Sequence, residues 1–310
     1  MATRAVARET VFALRREIAR IEGSLVERLE APTCADKDDA PPPVLRHAGV
    51  PARAAMLATG AATLDDALGG GVPQAALTEV YGRQARDAGA AAGFVLGLAV
   101  LAMKRMQHPA PLLWLATGEA FREAGIPYAP GLLHRFGLAP EAVLTAGVAR
   151  IEDALWVAEE AAALSGFSAV LLEVRGHARK LDLTATRRLH RRAQAAGRPF
   201  FLLRQTGEPE PTAAPVRLLV SPAPASERTI ISGLLAGSIG PPAFRVEIGR
   251  SRTALPAAAV LEWNKDERAF HERPLRAIGA QDARPVVSMH GDRPDSAGAA
   301  GAVVALRDIA

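Results

Sequence analysis

The sequence predicts an α/β fold with a mostly parallel central β-sheet flanked by helices, and three observations predict it. Between Pro51 and Glu272 short apolar runs alternate with helical stretches, the pattern left by strands joined through crossover helices. The chain has 310 residues, 49% hydrophobic and 23% charged, enough for one large core with extensions. A glycine-rich passage leads into an apolar strand and then a long apolar helix, over Thr59–Ala102.

The elements follow in order. Residues 1–30 read as an amphipathic helix, because Val11, Leu14, Ile18, Ile21, Leu25 and Leu29 recur at three- and four-residue steps and form one apolar stripe. So narrow a stripe suits a coiled-coil seam or a docking helix; it also suits a helix folded back on its own core. Residues 31–50 form a linker, since APTCADKDDAPPPV carries four prolines and cannot continue a helix. The core spans 51–272. Its strand candidates are Leu77–Tyr81, Leu112–Ala116, Ala169–Val174, Pro199–Leu203 and Val216–Val220, with helices after Arg86 and over Glu152–Ser165 and Leu183–Ala196. Antiparallel or edge-like strands are expected at Thr229–Leu234, Phe244–Ile248 and Ala258–Asn264. Residues 273–310, rich in Gly, Ala, Asp and Pro, read as a flexible tail ending in AVVALRDIA.

Composition narrows the function. The single cysteine, Cys34, excludes an internal disulfide framework and fits a reducing compartment. Seven histidines stand singly without ligand spacing, so no metal site is expected. No apolar block follows the basic N-terminus, so no signal peptide is expected. The apolar run Ala88–Met103 is shorter than the roughly 20 residues that cross a bilayer and reads as a buried core helix. The expectation is a cytoplasmic protein without membrane contact. The excess of 37 basic over 33 acidic residues and a pI near 9.7 hint at nucleic acid, but nearly all the cations are arginine. Only Lys37, Lys104, Lys180 and Lys265 are lysine, which reads as compositional bias.

The informative passage contains Thr59, Gly60, Leu64, Asp65, Leu68, Gly69 to Gly71, Pro73, Thr78, Glu79 and Gly82 in order. This set resembles the entry to the RecA-type ATPase core. In a working member Gly82 opens the loop G-x-x-x-x-G-K-[ST], whose glycine admits the phosphate, whose lysine reaches the β/γ-phosphates and whose hydroxyl binds Mg²⁺. Here those three positions hold Asp87, Ala88 and Gly89, and no lysine anywhere follows a glycine. A lost charge-assisted hydrogen bond costs about 1.5–3 kcal/mol. A carboxylate roughly 4 Å from a phosphate adds about 1–4 kcal/mol of repulsion. Arg83 and Arg86 are the remaining cations near the loop. No bound cofactor and no catalytic residue are therefore expected.

The other expected positions are equally reduced. Glu173, in AVLLEV, stands where the family's metal-supporting Asp belongs and is expected to pair with Arg175 or Arg179. Glu119 lies near the family's catalytic glutamate, and Gln205 matches the sensor glutamine. The segment after Glu173 passes almost directly into helix, and TGEPEPTAAP after Gln205 is short and acidic, which repels a phosphate backbone. One basic cluster remains, Arg187, Arg188, His190, Arg191, Arg192 and Arg198. It reads as a solvated helix face or as a contact for DNA or an acidic partner.

Over about Glu9 to Glu272 the chain resembles the ImuA family, RecA-like and SulA-related accessory proteins of SOS-induced mutagenesis. The resemblance implies a non-catalytic adaptor in translesion DNA synthesis. Its partners would be RecA, the polymerase-like ImuB and an error-prone DNA polymerase III α-type subunit, with DNA contact indirect or weak. Leu14, Ile18, Ile21 and Leu25, with Arg187, Arg188, Arg191 and Arg192, are the partner-binding candidates. The alternatives are a SulA-type cell-division inhibitor and a DNA-dependent ATPase with an unusual phosphate loop.

Overall fold

A computed structural model describes residues 56–106, 110–207, 209–231, 233–249 and 257–274. The expected N-terminal helix, the proline-rich linker and the tail lie outside them. In chain order the elements are β1 (Met56–Leu57), α1 (Ala62–Leu68), β2 (Val72–Pro73), β3 (Leu77–Gly82), a 3-10 turn (Ala85–Asp87), α2 (Ala88–Lys104), β4 (Leu112–Thr117), α3 (Gly118–Ala124) and α4 (Ala129–Phe136). After a second 3-10 turn come β5 (Val143–Val148), α5 (Ile151–Ala163), β6 (Ala169–Arg175), α6 (Leu183–Ala196), β7 (Phe200–Gln205) and β8 (Val216–Ala223). The last elements are β9 (Arg228–Ile230), β10 (Gly233–Leu235), β11 (Ala243–Ile248), β12 (Ala258–Asn264) and β13 (Ala269–Arg273).

Nine strands form one sheet in the order β13-β12-β11-β8-β3-β7-β6-β4-β5. From β8 to β5 all neighbours are parallel, while β11, β12 and β13 pair antiparallel. The α/β class with a mostly parallel sheet thus holds.

Each face of the sheet carries its own core, because successive residues of a strand point to opposite sides. On one face Val80, Trp114, Leu171 and Phe201 pack with α2 and α4. On the other, Leu77, Leu115, Leu172 and Phe200 pack with α5 and α6. Helix α2 is apolar because its middle is covered on all sides: every residue from Phe94 to Ala102 is buried, with Phe94, Val95, Leu98 and Ala99 fully so. With the preceding turn it is long and apolar enough to cross a membrane by composition alone, and it lies 61% buried inside the fold. Its outer side meets an aromatic cluster, where the rings of Phe94, Phe244, Phe270 and Trp263 lie 4.9–6.1 Å apart.

Two sequence expectations change. The run Thr229–Leu234 is not one strand but the hairpin β9–β10, where Gly233 takes a positive φ of 116° that glycine adopts readily. Strand β5 was not anticipated; its residues are half-exposed, so VLTAGV shows none of the apolar density of a central strand.

The packing of α2 against the antiparallel strands leaves no room at Gly97. A Cβ there would stand 2.3 Å from Cζ of Phe270, a ring that is itself 1% exposed and cannot retreat. Gly97→Val is expected to destabilise the fold by about 2–3 kcal/mol, the upper range for overpacking, read as a lower urea midpoint with an unchanged m-value.

Candidate functional site at the C-terminal edge of the sheet

The glycine-rich entry holds the chain in place before the loop begins. The Asp65 carboxylate accepts from the Thr59 backbone N–H at 2.9 Å, the Thr59 hydroxyl at 2.8 Å and the Gly60 N–H at 3.1 Å. This ties the turn to the first turn of α1. Gly71 sits where a Cβ would lie 2.2 Å from the Leu57 carbonyl oxygen, so the β1–β2 pair closes only over glycine.

Strand β3 then delivers Gly82 to the C-terminal edge of the sheet, where open α/β folds place their ligands. The loop beyond it is folded on itself. Asp87, only 6% exposed, accepts from the Gln84 N–H at 3.0 Å and donates its own N–H to the Gln84 carbonyl at 2.9 Å. A Cβ on Gly82 would lie 3.3 Å from that of Asp87 and 3.4 Å from that of Ala91. The carboxylate therefore takes a backbone donor of the kind that cradles phosphate in a working loop, and packs over the glycine. Ala88 is half-buried and Gly89 exposed, while Arg83 and Arg86 both face solvent.

The register brings the other expected positions beside this loop. Gly82 on β3 stands level with Gln205 on β7, which stands level with Arg175 on β6. Thr206 N–H donates to the Gly82 carbonyl at 2.8 Å. Glu173, 4% exposed, accepts from Trp114 Nε1 at 2.8 Å and from Gln205 Nε2 at 2.8 Å. The expected pairing with Arg175 or Arg179 is therefore wrong: Arg175 reaches the Glu123 carboxylate on α3, and Arg179 is exposed. Glu173 points to the α2 face, and its partners come from that face of the neighbouring strands, each two residues along from the position opposite it on β4 and β7. Burial raises its pKa above the ordinary 4.5, against the pull of its two hydrogen bonds and of Arg175. Gln205 Oε1 is buried without a partner. Glu119, in the first turn of α3, is exposed.

On the opposite face lies a cluster that sequence reasoning did not assemble. Glu79, fully buried, receives Arg217 Nε at 2.8 Å and Arg204 Nη1 at 3.5 Å. Both guanidiniums lie 5.3 Å from the ring centroid of Tyr81, within cation–π range. Burial raises the Glu79 pKa, and the two arginines pull it back. Glu210 completes the cluster: its carboxylate meets Arg204 and His177, and its N–H donates to the Tyr81 hydroxyl at 3.2 Å. The loop expected to repel DNA thus turns this acid inward. Arginines inside the apolar strands FFLLRQ and VRLLV were the available signal.

The basic ridge of α6 is partly neutralised. Arg187, Arg188, Arg191 and Arg192 are all exposed, but Arg188 bonds Glu159 at 2.8 Å and Arg192 lies 4.0 Å from Glu160. Among the described residues no ion pair involves Arg187 or Arg191. His190 belongs to the interior instead: its Nδ1 accepts from Leu77 N–H at 3.2 Å. Arg198 bonds the Leu164 carbonyl at 2.5 Å. Among the described residues no cluster of His, Cys, Asp and Glu has metal-binding geometry. The stripe Leu14, Ile18, Ile21, Leu25 lies outside those residues. No family model matches the chain, and no curated protein matches it.

The raised pKa of Glu173 fixes the sign of a pH effect. The folded carboxyl keeps its proton to higher pH than the unfolded one, so its contribution is fully present below the unfolded value and is lost as pH rises through the folded value. Glu173→Gln removes that loss. The new amide still accepts from Trp114, and a flip of Gln205 offers it the unpartnered Oε1. Urea midpoints measured from pH 5 to 8 are expected to fall less steeply in Glu173→Gln than in the parent.

Proposed function

We propose that this chain is a non-catalytic accessory protein of the ImuA type, with a RecA-like core, acting in SOS-induced translesion DNA synthesis. In this reading it links RecA filaments to ImuB and an error-prone DNA polymerase III α-type subunit. The single observation that carries it is Asp87. A carboxylate turned onto the Gln84 N–H, with no lysine or hydroxyl after it, removes the groups that grip a triphosphate and puts a like charge in their place.

Two further features favour this reading. The strand ending at Gly82 is separated from the strand bearing Glu173 by the one ending at Gln205, which sets the three positions expected of a RecA-type site side by side. The hairpin β9–β10 also exposes Ile230, Ile231, Leu234 and Leu235 at 44–110%, apolar surface of the kind that marks protein contacts. In the proposed mechanism the stripe Leu14, Ile18, Ile21, Leu25 docks on a RecA protomer at a filament end. The altered loop supplies no ATP bridge to the next subunit, so the filament is capped and the polymerase proteins are brought to the lesion.

Calorimetric titration with Mg-ATP, with and without RecA filaments on single-stranded DNA, is expected to give no binding heat for this chain and no added phosphate release. Aspartate at both Ile18 and Leu25 is expected to abolish RecA capture in a pull-down while the circular dichroism spectrum is retained. Tight Mg-ATP binding with turnover lost on changing Arg86 would instead identify an ATPase.

A further inference from the structure

The ridge of α6 carries two rows of arginine with different surroundings. Arg188 and Arg192 face α5, where Glu159 and Glu160 meet them at 2.8 and 4.0 Å. Arg187 and Arg191 stand on the crest, on the side away from the buried Ala185, Leu189 and Ala193. They share that face with exposed Thr184, Gln194 and Ala195, at three- and four-residue steps. Arg179 and Lys180 are exposed just ahead of the helix, in a turn where the Leu181 N–H donates to the Ala178 carbonyl at 2.8 Å. Among the described residues none of these four cations enters an ion pair. The acids beside them have other tasks. The Asp182 carboxylate caps α6 through the Ala185 N–H at 2.8 Å, and Glu210 is held by Arg204 and His177.

The composition of the crest selects its partner. Protein contacts are anchored at their centre by aromatic or long apolar side chains, and the crest presents none. The exposed Trp156 of the same helical layer is on α5, four residues from Glu152 and from Glu160, where the charge has the opposite sign. Interfaces with nucleic acid are polar and strongly positive. Single strands are gripped by stacking their bases on aromatic side chains, which this surface lacks. The backbone of a duplex asks only for a row of cations. The dimensions fit: the 14 residues of α6 extend about 21 Å, the length of about six phosphates of one strand.

We infer that the crest of α6, with Arg179 and Lys180 ahead of it, is a sequence-independent contact for the phosphate backbone of a nucleic-acid duplex. Its cations position the duplex and read no base. The inference goes beyond the proposed adaptor role. It uses no residue of the phosphate loop or of the N-terminal stripe, so either can fail while the other stands.

Fluorescence anisotropy of a labelled DNA duplex, titrated with the full chain over a range of salt concentrations, tests it. Four phosphate contacts at about −0.9 each give an expected slope of log affinity against log salt of about −3 to −4, the same for unrelated sequences. Arg187→Ala with Arg191→Ala is expected to weaken binding about tenfold at low salt and to bring the slope to about −2. Arg179→Ala with Lys180→Ala is expected to do the same. All four side chains are exposed, so circular dichroism and the thermal midpoint are expected to match the parent. A duplex left unbound, binding unchanged in both double variants, or binding lost only on changing Arg83 and Arg86 would overturn the inference. So would capture of polyglutamate in preference to the duplex, which would assign the crest to an acidic protein.

Discussion

The centre of the fold depends on one buried carboxylate. Glu79 is enclosed by Arg217 and Arg204, which come from the strands on either side of β3. An ionised group in such a place is costly unless it is paired and hydrogen-bonded. The constraint therefore acts on register as much as on stability. Sliding β3 by one residue would turn Glu79 onto the α2 face and leave two guanidiniums buried without an anion. Tyr81 and Glu210 fill the space around the arginines, so the end of the sheet carrying Gly82 and Gln205 is fixed from below.

This arrangement gives the glycine-rich entry structural tasks of its own. Asp65 ties a turn to a helix, Gly71 admits the backbone of β1 and Glu79 organises the central strands. None of those tasks involves a nucleotide. The loop residues have no such second task. At their positions Asp87 supplies its own anion to a backbone donor, satisfying locally a donor of the kind that a bound phosphate satisfies in a phosphate-binding loop.

Much of the fold was legible because strongly buried elements leave strong patterns. FFLLRQ and AVLLEV are apolar runs bounded by turn residues, and they became the adjacent strands β7 and β6. The apolar run after Asp87 became α2. Elements with weak burial were not legible. VLTAGV sits half-exposed at an edge, α1 and α3 are single short helices, and the β9–β10 hairpin exposes the aliphatic residues that suggested a continuous strand. The site was legible as a list of positions, Gly82, Asp87, Glu173 and Gln205, but not as a set of contacts.

The sequence by itself determined the fold class, the order of the main strands and helices along the chain and the chemistry missing after Gly82. Each of these is written in local spacing: the lengths of apolar runs and the identity of three consecutive residues. Only the tertiary structure decided the partners. Glu173 bonds Trp114 and Gln205 rather than an arginine close in sequence, and Arg204 and Arg217 meet Glu79 from more than a hundred residues away. A buried polar side chain takes whatever donor the neighbouring strands bring within reach on its own face of the sheet. Strand order and register are set by how the two faces of the sheet are covered, not by spacing along the chain.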